Sequence, residues 1–191
     1  HIQATFRAFA AILENGSVVT WGDDRYGGDS SAVQDQLRGV QQIKATRYAF
    51  AAILEDGSVV TWGDADRGGD SSAVQDQLKG VQHIQATFRA FAAILENGSV
   101  ITWGDEDYGG DSSAVRDQLK GVQHIQATQS AFAAILKDGS AVTWGPTDFG
   151  GDSSTVRDQL RDEMNLPVRT FSGDLTVEQI QAARYKKPRF V

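Results

Sequence analysis

The sequence predicts a mainly β fold built from four tandem copies of one supersecondary unit. The stretch AFAAILENGSVVTWG begins at Ala8 and returns with few changes at Ala49, Ala90 and Ala131. A constant step of 41 residues separates the four tryptophans, Trp21, Trp62, Trp103 and Trp144. In each copy an Asn-Gly or Asp-Gly pair lies between two apolar arms, a pattern typical of a tight β-hairpin. A period of about 20–50 residues is typical of stacked repeat proteins, so we predict a propeller-like array, with an open β-rich solenoid or arc as the alternative.

The constant step also predicts the domain organisation. It divides the chain into four repeats, at residues 1–41, 42–82, 83–123 and 124–164, followed by a tail at 165–191. The tail contains TVEQIQAARY, which is predicted to be a short helix, and ends in the basic, aromatic stretch RYKKPRFV. A chain of 191 residues is long enough for one compact domain or one short repeat array.

Each repeat is predicted to contain three strands and one further short element. Residues 1–5 alternate as a short strand does, and residues 8–22 form the hairpin. The segment DSSAVQDQLRG at 29–39 is either a two-turn helix or an irregular outer strand. Ser31 and Gln34 fit a capping box, which favours the helix.

A single hairpin has no surface against which to bury its apolar face, so the repeats are predicted to pack on one another. We expect Phe9, Leu13, Val19 and Trp21, with their equivalents, to lie between neighbouring repeats. A buried tryptophan removes roughly 150–250 Å² from water, which at about 25 cal/mol per Å² contributes at most about 4–6 kcal/mol. A gain of this size favours a core role for the tryptophans over ligand stacking.

The run AFAAILENGSVVTWGDDRYGG at 8–28 resembles the RCC1-like repeat. In that family an apolar strand, an acidic-Gly turn, a V-x-x-W-G strand and a Gly-rich loop recur, and L-x-G-V-x-x-I leads into the next unit. The L-x-G-V-x-x-I motif occurs in this chain within QLRGVQQI at 36–43 and within QLKGVQHI at 77–84 and 118–125. The resemblance covers residues 1–164, with units that are shorter and fewer than those of a full ring of the family.

The resemblance implies a β-propeller whose blades carry protein–protein contacts, as in Ran nucleotide-exchange factors, HERC-type ubiquitin ligases and photoreceptors. Nucleotide-exchange activity is not carried over, because no loop here stands out as the family's insertion that contacts a GTPase. A compact four-bladed closure and an open arc both remain compatible with the shorter units.

Composition excludes several classes of function. The chain has no cysteine, which excludes disulfides, thiolate metal sites and cysteine nucleophiles. Residues 1–164 carry 13 basic and 23 acidic side chains, a net charge of −10, whereas residues 165–191 carry a net +3. Because an acidic surface repels phosphates, we expect no direct nucleic-acid binding by the repeats. No apolar run approaches the roughly 20 residues that span a bilayer, so we expect no transmembrane segment, and any peripheral membrane association runs through a partner.

We predict no bound metal and no cofactor. Some carboxylates in the Gly-rich loops follow the alternate spacing of calcium ligands, but the first and fourth repeats break the pattern at Arg25 and Pro146. The weak metal candidates are Asp64, Asp66, Asp70, Asp105, Asp107 and Asp111. We expect Asp70 and its equivalents to form helix caps or Asx turns instead.

No catalytic site is predicted, and the chain is not expected to be an enzyme. The three histidines, His1, His83 and His124, occupy one repeat position, so duplication explains their number. The serines of GGDSS lie in neither a nucleophile elbow nor a phosphate loop.

The function predicted from the sequence is a non-enzymatic protein–protein interaction module, an accessory or scaffold subunit whose partners are the other subunits of a larger complex. The alternatives are a regulatory factor of a small GTPase, of the nucleotide-exchange type, and a calcium-dependent surface or adhesion repeat. The basic end of the tail is predicted either to pack back onto the acidic repeats or to reach a partner subunit. Its partner-binding candidates are Arg184, Tyr185, Lys186, Lys187, Arg189 and Phe190.

Overall fold

The computed structural model describes residues 1–157 and 159–160. These residues form four separate three-stranded sheets, one in each repeat, here called units 1 to 4. The strands are β1 (Ile2–Ala4), β2 (Ala8–Ile12) and β3 (Val18–Gly22) in unit 1, β4 (Val40–Ala45), β5 (Ala49–Leu54) and β6 (Val59–Gly63) in unit 2, β7 (Val81–Ala86), β8 (Ala90–Leu95) and β9 (Val100–Gly104) in unit 3, and β10 (Val122–Ala127), β11 (Phe132–Leu136) and β12 (Ala141–Trp144) in unit 4. Neighbouring strands in each sheet are antiparallel and follow chain order, and the first and fourth sheets are not joined.

The hairpin between the second and third strands has the predicted turn chemistry. In unit 1, Gly16 adopts a φ of 75°, which a residue with a side chain rarely adopts. The Asn15 Oδ1 atom accepts a hydrogen bond from the Ser17 backbone N–H at 3.0 Å. The glycine and the side-chain acceptor recur in the other three hairpins, which confirms the prediction from the Asn-Gly and Asp-Gly pairs.

Short 3₁₀ helices connect the third strand of each unit to the next unit. The first group of these is Asp24–Tyr26, Ala65–Arg67, Glu106–Tyr108 and Thr147–Phe149, and the second is Ser31–Gln36, Gln75–Gln77 and Ser113–Gln118. The second group occupies the segment for which either a two-turn helix or an irregular outer strand is predicted. In unit 1 the Ser30 hydroxyl hydrogen-bonds to the side chains of Thr20 and Gln34, and the Gln34 amide donates to the Val18 carbonyl at 3.0 Å. These bonds hold the segment of unit 1 against its sheet.

The hydrophobic core consists of three clusters, one between each pair of consecutive units. Side chains alternate between the two faces of a strand, so Phe50 and Ala51 of β5 point to opposite neighbours. The aromatic face of unit 2 consists of Ile43, Phe50, Ala52, Leu54, Val60 and Trp62, and it packs on the small-residue face of unit 1, which consists of Ala8, Ala10, Val18 and Leu37. Units 3 and 4 repeat the same arrangement against units 2 and 3.

Each junction between units contains a glycine beneath a phenylalanine ring. A Cβ atom on Gly68 would lie 2.7 Å from the ring of Phe91, and Gly27 and Gly109 are in the same position beneath the next-unit phenylalanines. The indole N–H of Trp103 donates to the carbonyl oxygen of Gly68 at 3.1 Å. Phe91 and Trp103 stack with ring centroids 5.2 Å apart, so one glycine accommodates the whole aromatic pair.

The prediction that all four tryptophans are buried between units is confirmed for three of them and wrong for Trp21. Trp62, Trp103 and Trp144 are 5%, 4% and 4% exposed, but Trp21 is 47% exposed. The reason is the position of unit 1, whose aromatic face has no small-residue face against it among the described residues.

Within the described residues, no helix is long and apolar enough to cross a membrane.

Candidate interaction site

Two turns at the same end of each unit lie side by side. One turn joins the first and second strands, and the other is the 3₁₀ helix that follows the third strand. A threonine links them: the Thr5 hydroxyl accepts from the Ala8 N–H at 3.0 Å and donates to the Tyr26 carbonyl at 2.9 Å. Thr46, Thr87 and Thr128 make the corresponding bonds in units 2 to 4. The units therefore share a rigid frame for the side chains that these turns present.

Backbone hydrogen bonds join these turns across the units. The Phe6 N–H donates to the Arg47 carbonyl at 2.9 Å, the Arg47 N–H to the Phe88 carbonyl at 3.0 Å, and the Phe88 N–H to the Gln129 carbonyl at 2.9 Å. The spacing between consecutive donors is one repeat. The turns therefore form one continuous surface that runs along the edge of all four units.

Arginine and aromatic side chains alternate along this surface. We call it the Arg–aromatic stripe, and its members are Phe6, Arg7, Tyr26, Arg47, Tyr48, Arg67, Phe88, Arg89 and Tyr108. The Arg47 guanidinium lies 4.8 Å from the ring centroid of Phe6 and 4.6 Å from that of Phe88. Tyr26 and Tyr48 stack with centroids 5.2 Å apart. These cation–π and stacking contacts cross the boundaries between units and hold the side chains in order.

Carboxylates anchor most arginines of the stripe. Asp23 binds Arg25 at 3.0 Å and Arg7 at 3.8 Å, and Asp105 binds Arg89 at 3.3 Å. The hydrogen bond from the Arg25 side chain is the main cause that lowers the pKa of Asp23 from its usual value. Asp64 pairs with Arg67 in unit 2. The aspartate that directly follows the third strand therefore positions an arginine in each of the first three units.

Arg47 differs from the other arginines of the stripe because no described carboxylate pairs with it. Its side chain is exposed and is held between two aromatic rings. A guanidinium has five N–H donors, which fit a carboxylate in two-point contacts. Arg47 is therefore the ordered cation of the stripe that is available to an acidic group of a partner.

Sequence reasoning missed the stripe, although the sequence contains a signal for it. The first three units are nearly identical along their strands, yet their turns read FR at 6–7, RY at 47–48 and FR at 88–89. The 3₁₀ segments change in the same way, from RY at 25–26 to DR at 66–67. Arginine and aromatic residues exchange places between units, and this exchange distinguishes the stripe from the repeated core.

The acidic loops of units 2 and 3 use several of their carboxylates in turns and ion pairs. Asp64 pairs with Arg67, and Asp105 accepts from the Asp107 N–H at 3.0 Å as well as from Arg89. Asp66, Asp70 and Asp111 lie along a shallow groove between the two units. The described residues contain no group of three or more acidic or histidine side chains arranged to hold a metal ion, and the absence of a bound metal stays a prediction.

Asp70 and its equivalents form the expected Asx turns. The Asp70 Oδ1 atom accepts from the Ser72 N–H at 2.8 Å, and Asp29, Asp111 and Asp152 make the same bond two residues along. This backbone hydrogen bond is the main cause that lowers the pKa of Asp29, Asp70 and Asp152 from their usual values. The ionised carboxylate therefore stabilises each turn.

We expect the combined variant Asp29→Asn, Asp70→Asn, Asp152→Asn to be less sensitive to acid than the wild type. An asparagine Oδ1 can accept the same N–H bond without titrating. Because the folded-state pKa values are lowered, the wild-type carboxylates contribute stability above about pH 4, and this contribution is lost as the pH falls through the folded values. Urea midpoints measured from pH 6 to pH 3 should fall more steeply for the wild type, and parallel curves would contradict the role of the charge.

His83 and His124 lie on the first strands of units 3 and 4, and His1 directly precedes the first strand of unit 1. His83 and His124 line a shallow groove with Lys44 and Gln85. His1 is exposed, and its Nε2 atom lies 3.1 Å from the Gln3 side-chain amide. The structure thus brings two of the three histidines to one groove. The candidates in the tail, Arg184, Tyr185, Lys186, Lys187, Arg189 and Phe190, lie outside the described residues, as does the predicted helix before them.

The four units are similar in structure to β-propeller proteins. Prp20p from Saccharomyces cerevisiae is 19% identical over 78% of this chain and 43% of its own, with a TM-score of 0.54. Yeast RCC1 (Prp20) with Kap60 bound is 18% identical over 78% and 42%, also with a TM-score of 0.54. Human WBSCR16 is 17% identical over 80% and 50%, with a TM-score of 0.51. This chain spans half or less of the length of these structures.

At these identities the likeness shows the fold, which is that of RCC1-like propeller repeats. No family model matches the sequence, and no curated protein matches it. The structure of Prp20p is described together with its binding to Gsp1p and histones, and that of yeast RCC1 contains Kap60. The fold predicted from the repeated stretches is thus confirmed, in four units with separate three-stranded sheets, and the first and fourth sheets are not joined among the described residues.

Proposed function

We propose that this chain is a non-enzymatic protein–protein interaction module, an accessory or scaffold subunit that binds a partner protein through the Arg–aromatic stripe. The observation that carries the proposal is the stripe itself. It is a continuous surface on which ordered arginines lie between aromatic rings across the units. Arginine and aromatic residues are the types most enriched among those that contribute most to binding between proteins.

The order of the stripe supports binding because it reduces the entropy that association costs. Immobilising a flexible side chain at an interface costs about 0.5–1.5 kcal/mol. In this stripe, Arg89 is already held by Asp105 and by the Tyr108 ring, whose centroid is 4.5 Å away. Backbone bonds between the turns fix their spacing before any partner arrives. The free protein therefore presents a preorganised surface.

The chemistry of the stripe indicates the type of partner. Arg47 has two aromatic neighbours and lacks a carboxylate among the described residues, so a partner carboxylate can complete its contacts. Phe6, which is 58% exposed beside it, offers apolar surface. The expected partner is a protein that places an acidic side chain on Arg47 and an apolar side chain on Phe6.

Regulation of a small GTPase is the second candidate, and the fold similarity to Prp20p, described with its binding to Gsp1p, favours it. A nucleotide-exchange assay with small GTPases from the native source separates the two candidates. Acceleration of exchange by the full chain would favour the regulatory role over a scaffold.

We expect Arg47→Ala to reduce recovery of the chain's partners by about tenfold or more, the effect of losing about 1.4 kcal/mol at an important interface residue. The measurement is quantitative mass spectrometry of proteins that co-purify with the tagged full chain from its native source. Arg38→Ala is the matched control, because Arg38 is an exposed arginine of a surface ion pair with Asp35 outside the stripe. Undiminished recovery with Arg47→Ala would refute binding through the stripe.

A further inference from the structure

We propose that the chain associates with a second copy of itself head to tail, the aromatic face of unit 1 in one copy docking on the small-residue face of unit 4 in the other. This inference goes beyond the binding of a partner through the Arg–aromatic stripe and does not depend on it. The three junctions inside the chain show what covers an aromatic face of this type.

The aromatic face of unit 1 is complete, and no other unit covers it among residues 1–157 and 159–160. Its large hydrophobic side chains are 43–60% exposed, whereas the equivalent side chains of units 2 to 4 are buried or half-buried. These large side chains are Ile2, Phe9, Leu13, Val19 and Trp21. Phe9 and Trp21 nevertheless stack at 5.3 Å with an interplanar angle of 20°, close to the geometry of the three buried pairs. The face is therefore already arranged as it is in a formed junction.

Unit 4 contains the matching glycine. Gly150 has a positive φ of 94°, as Gly27, Gly68 and Gly109 have, but a Cβ atom added to it would meet no described residue within 4 Å. Each of the other three glycines lies beneath a phenylalanine ring and accepts a tryptophan indole N–H. The indole N–H of Trp21 has no acceptor among the described residues, and the Gly150 carbonyl is the equivalent acceptor.

The exposed apolar surface is confined to the two ends of the array. The small-residue face of unit 4 includes Ala133 and Ile135, which are more exposed than their equivalents in units 2 and 3. Phe149 and Val156, beside this face, are 45% and 41% exposed, whereas Tyr108 and Val115 pack into a core cluster. Among the described residues, every exposed large hydrophobic side chain lies in unit 1 or unit 4.

The row of backbone hydrogen bonds that joins the turns leaves an acceptor in unit 1 and a donor in unit 4. The Phe6 carbonyl receives no hydrogen bond from the described residues, and the Gln129 N–H donates to no acceptor among them. A second copy placed as the next unit brings the Gln129 N–H of one copy to the Phe6 carbonyl of the other. Such contacts are heterologous, so they close into a ring or extend into a filament.

The experiment compares the full chain with variants of each face by analytical ultracentrifugation over a range of concentrations. Phe9→Arg removes the aromatic face of unit 1, and Ala133→Arg blocks the small-residue face of unit 4. We expect the wild type to self-associate and each variant to weaken association at least tenfold. Arg38→Ala, away from both faces, should associate as the wild type does, and circular dichroism checks that every variant is folded.

Mixing the two variants tests the direction of the contact. Each variant keeps one intact face, so an equimolar mixture of Phe9→Arg and Ala133→Arg should form a heterodimer with one junction. Acrylamide should quench Trp21 fluorescence in the dilute wild type and quench it less as the protein concentrates. Three results would each overturn the proposal: a wild type that stays monomeric, association that both variants retain, and Trp21 that is already protected at high dilution, which would place another part of the same chain on the face.

Discussion

Phe91→Ala should lower the free energy of unfolding by about 3–5 kcal/mol, whereas Phe9→Ala in unit 1 should lower it by about 1 kcal/mol. The two phenylalanines occupy the same repeat position in the same local sequence, AFAAILENGS. Phe91 is fully buried above Gly68, and Phe9 is 43% exposed. Removing the Phe91 ring leaves a cavity between units 2 and 3, but removing the Phe9 ring leaves none.

The measurement is urea unfolding at a concentration low enough to keep the chain monomeric, with the midpoint and slope fitted for both variants. The comparison controls for strand propensity, because both phenylalanines lie in the second strand of a unit. If both variants lost the same free energy of unfolding, burial between units would not be what makes Phe91 more stabilising than Phe9.

Gly68→Ala should destabilise the protein more than Gly150→Ala by about 1–3 kcal/mol, the usual cost of overpacking a core. Both glycines have positive φ values, 101° and 94°, so both variants carry the cost of placing a side chain in the left-handed region. Only at Gly68 does the added Cβ atom meet a ring, 2.7 Å from Phe91. The difference between the variants therefore isolates the contact between glycine and phenylalanine.

Thermal unfolding of the two glycine variants, followed by near-ultraviolet circular dichroism, gives this difference. The aromatic signal also reports whether the Phe91–Trp103 stack is disturbed, as we expect for Gly68→Ala alone. A larger loss for Gly150→Ala would show that the glycines beneath the rings are not what positions one unit on the next.

Much of the fold was predictable because its determinants are local and repeated. The Asn-Gly and Asp-Gly pairs specify the hairpins, and the step of 41 residues specifies the number of units. The alternation of Phe50 with small neighbours indicates a strand with two packed faces. These patterns depend on residue types that are close in sequence, and the structure contains the hairpins and two-faced strands that they predict.

Other features depend on the position of a unit in the array, which its local sequence does not record. Trp21 and Trp62 have the same neighbours in sequence, VVTWGD, yet one is half-exposed and the other buried. The Arg–aromatic stripe was missed for a related reason. Arg47 contacts the rings of Phe6 and Phe88, each 41 residues away, and only the stacking of the units brings the three together.

Within the described part of the chain, one type of junction, an aromatic pair on a glycine, is made three times, and its two halves are left without a partner in units 1 and 4. Proton–nitrogen NMR of the four tryptophan indoles tests it most directly, because each indole N–H reports one junction. In dilute protein, the indoles of Trp62, Trp103 and Trp144 should exchange slowly with solvent, since Gly27, Gly68 and Gly109 accept their protons. The indole of Trp21 should exchange fast and become slow as the protein concentrates. Four fast indoles, or four slow ones at every concentration, would contradict the account.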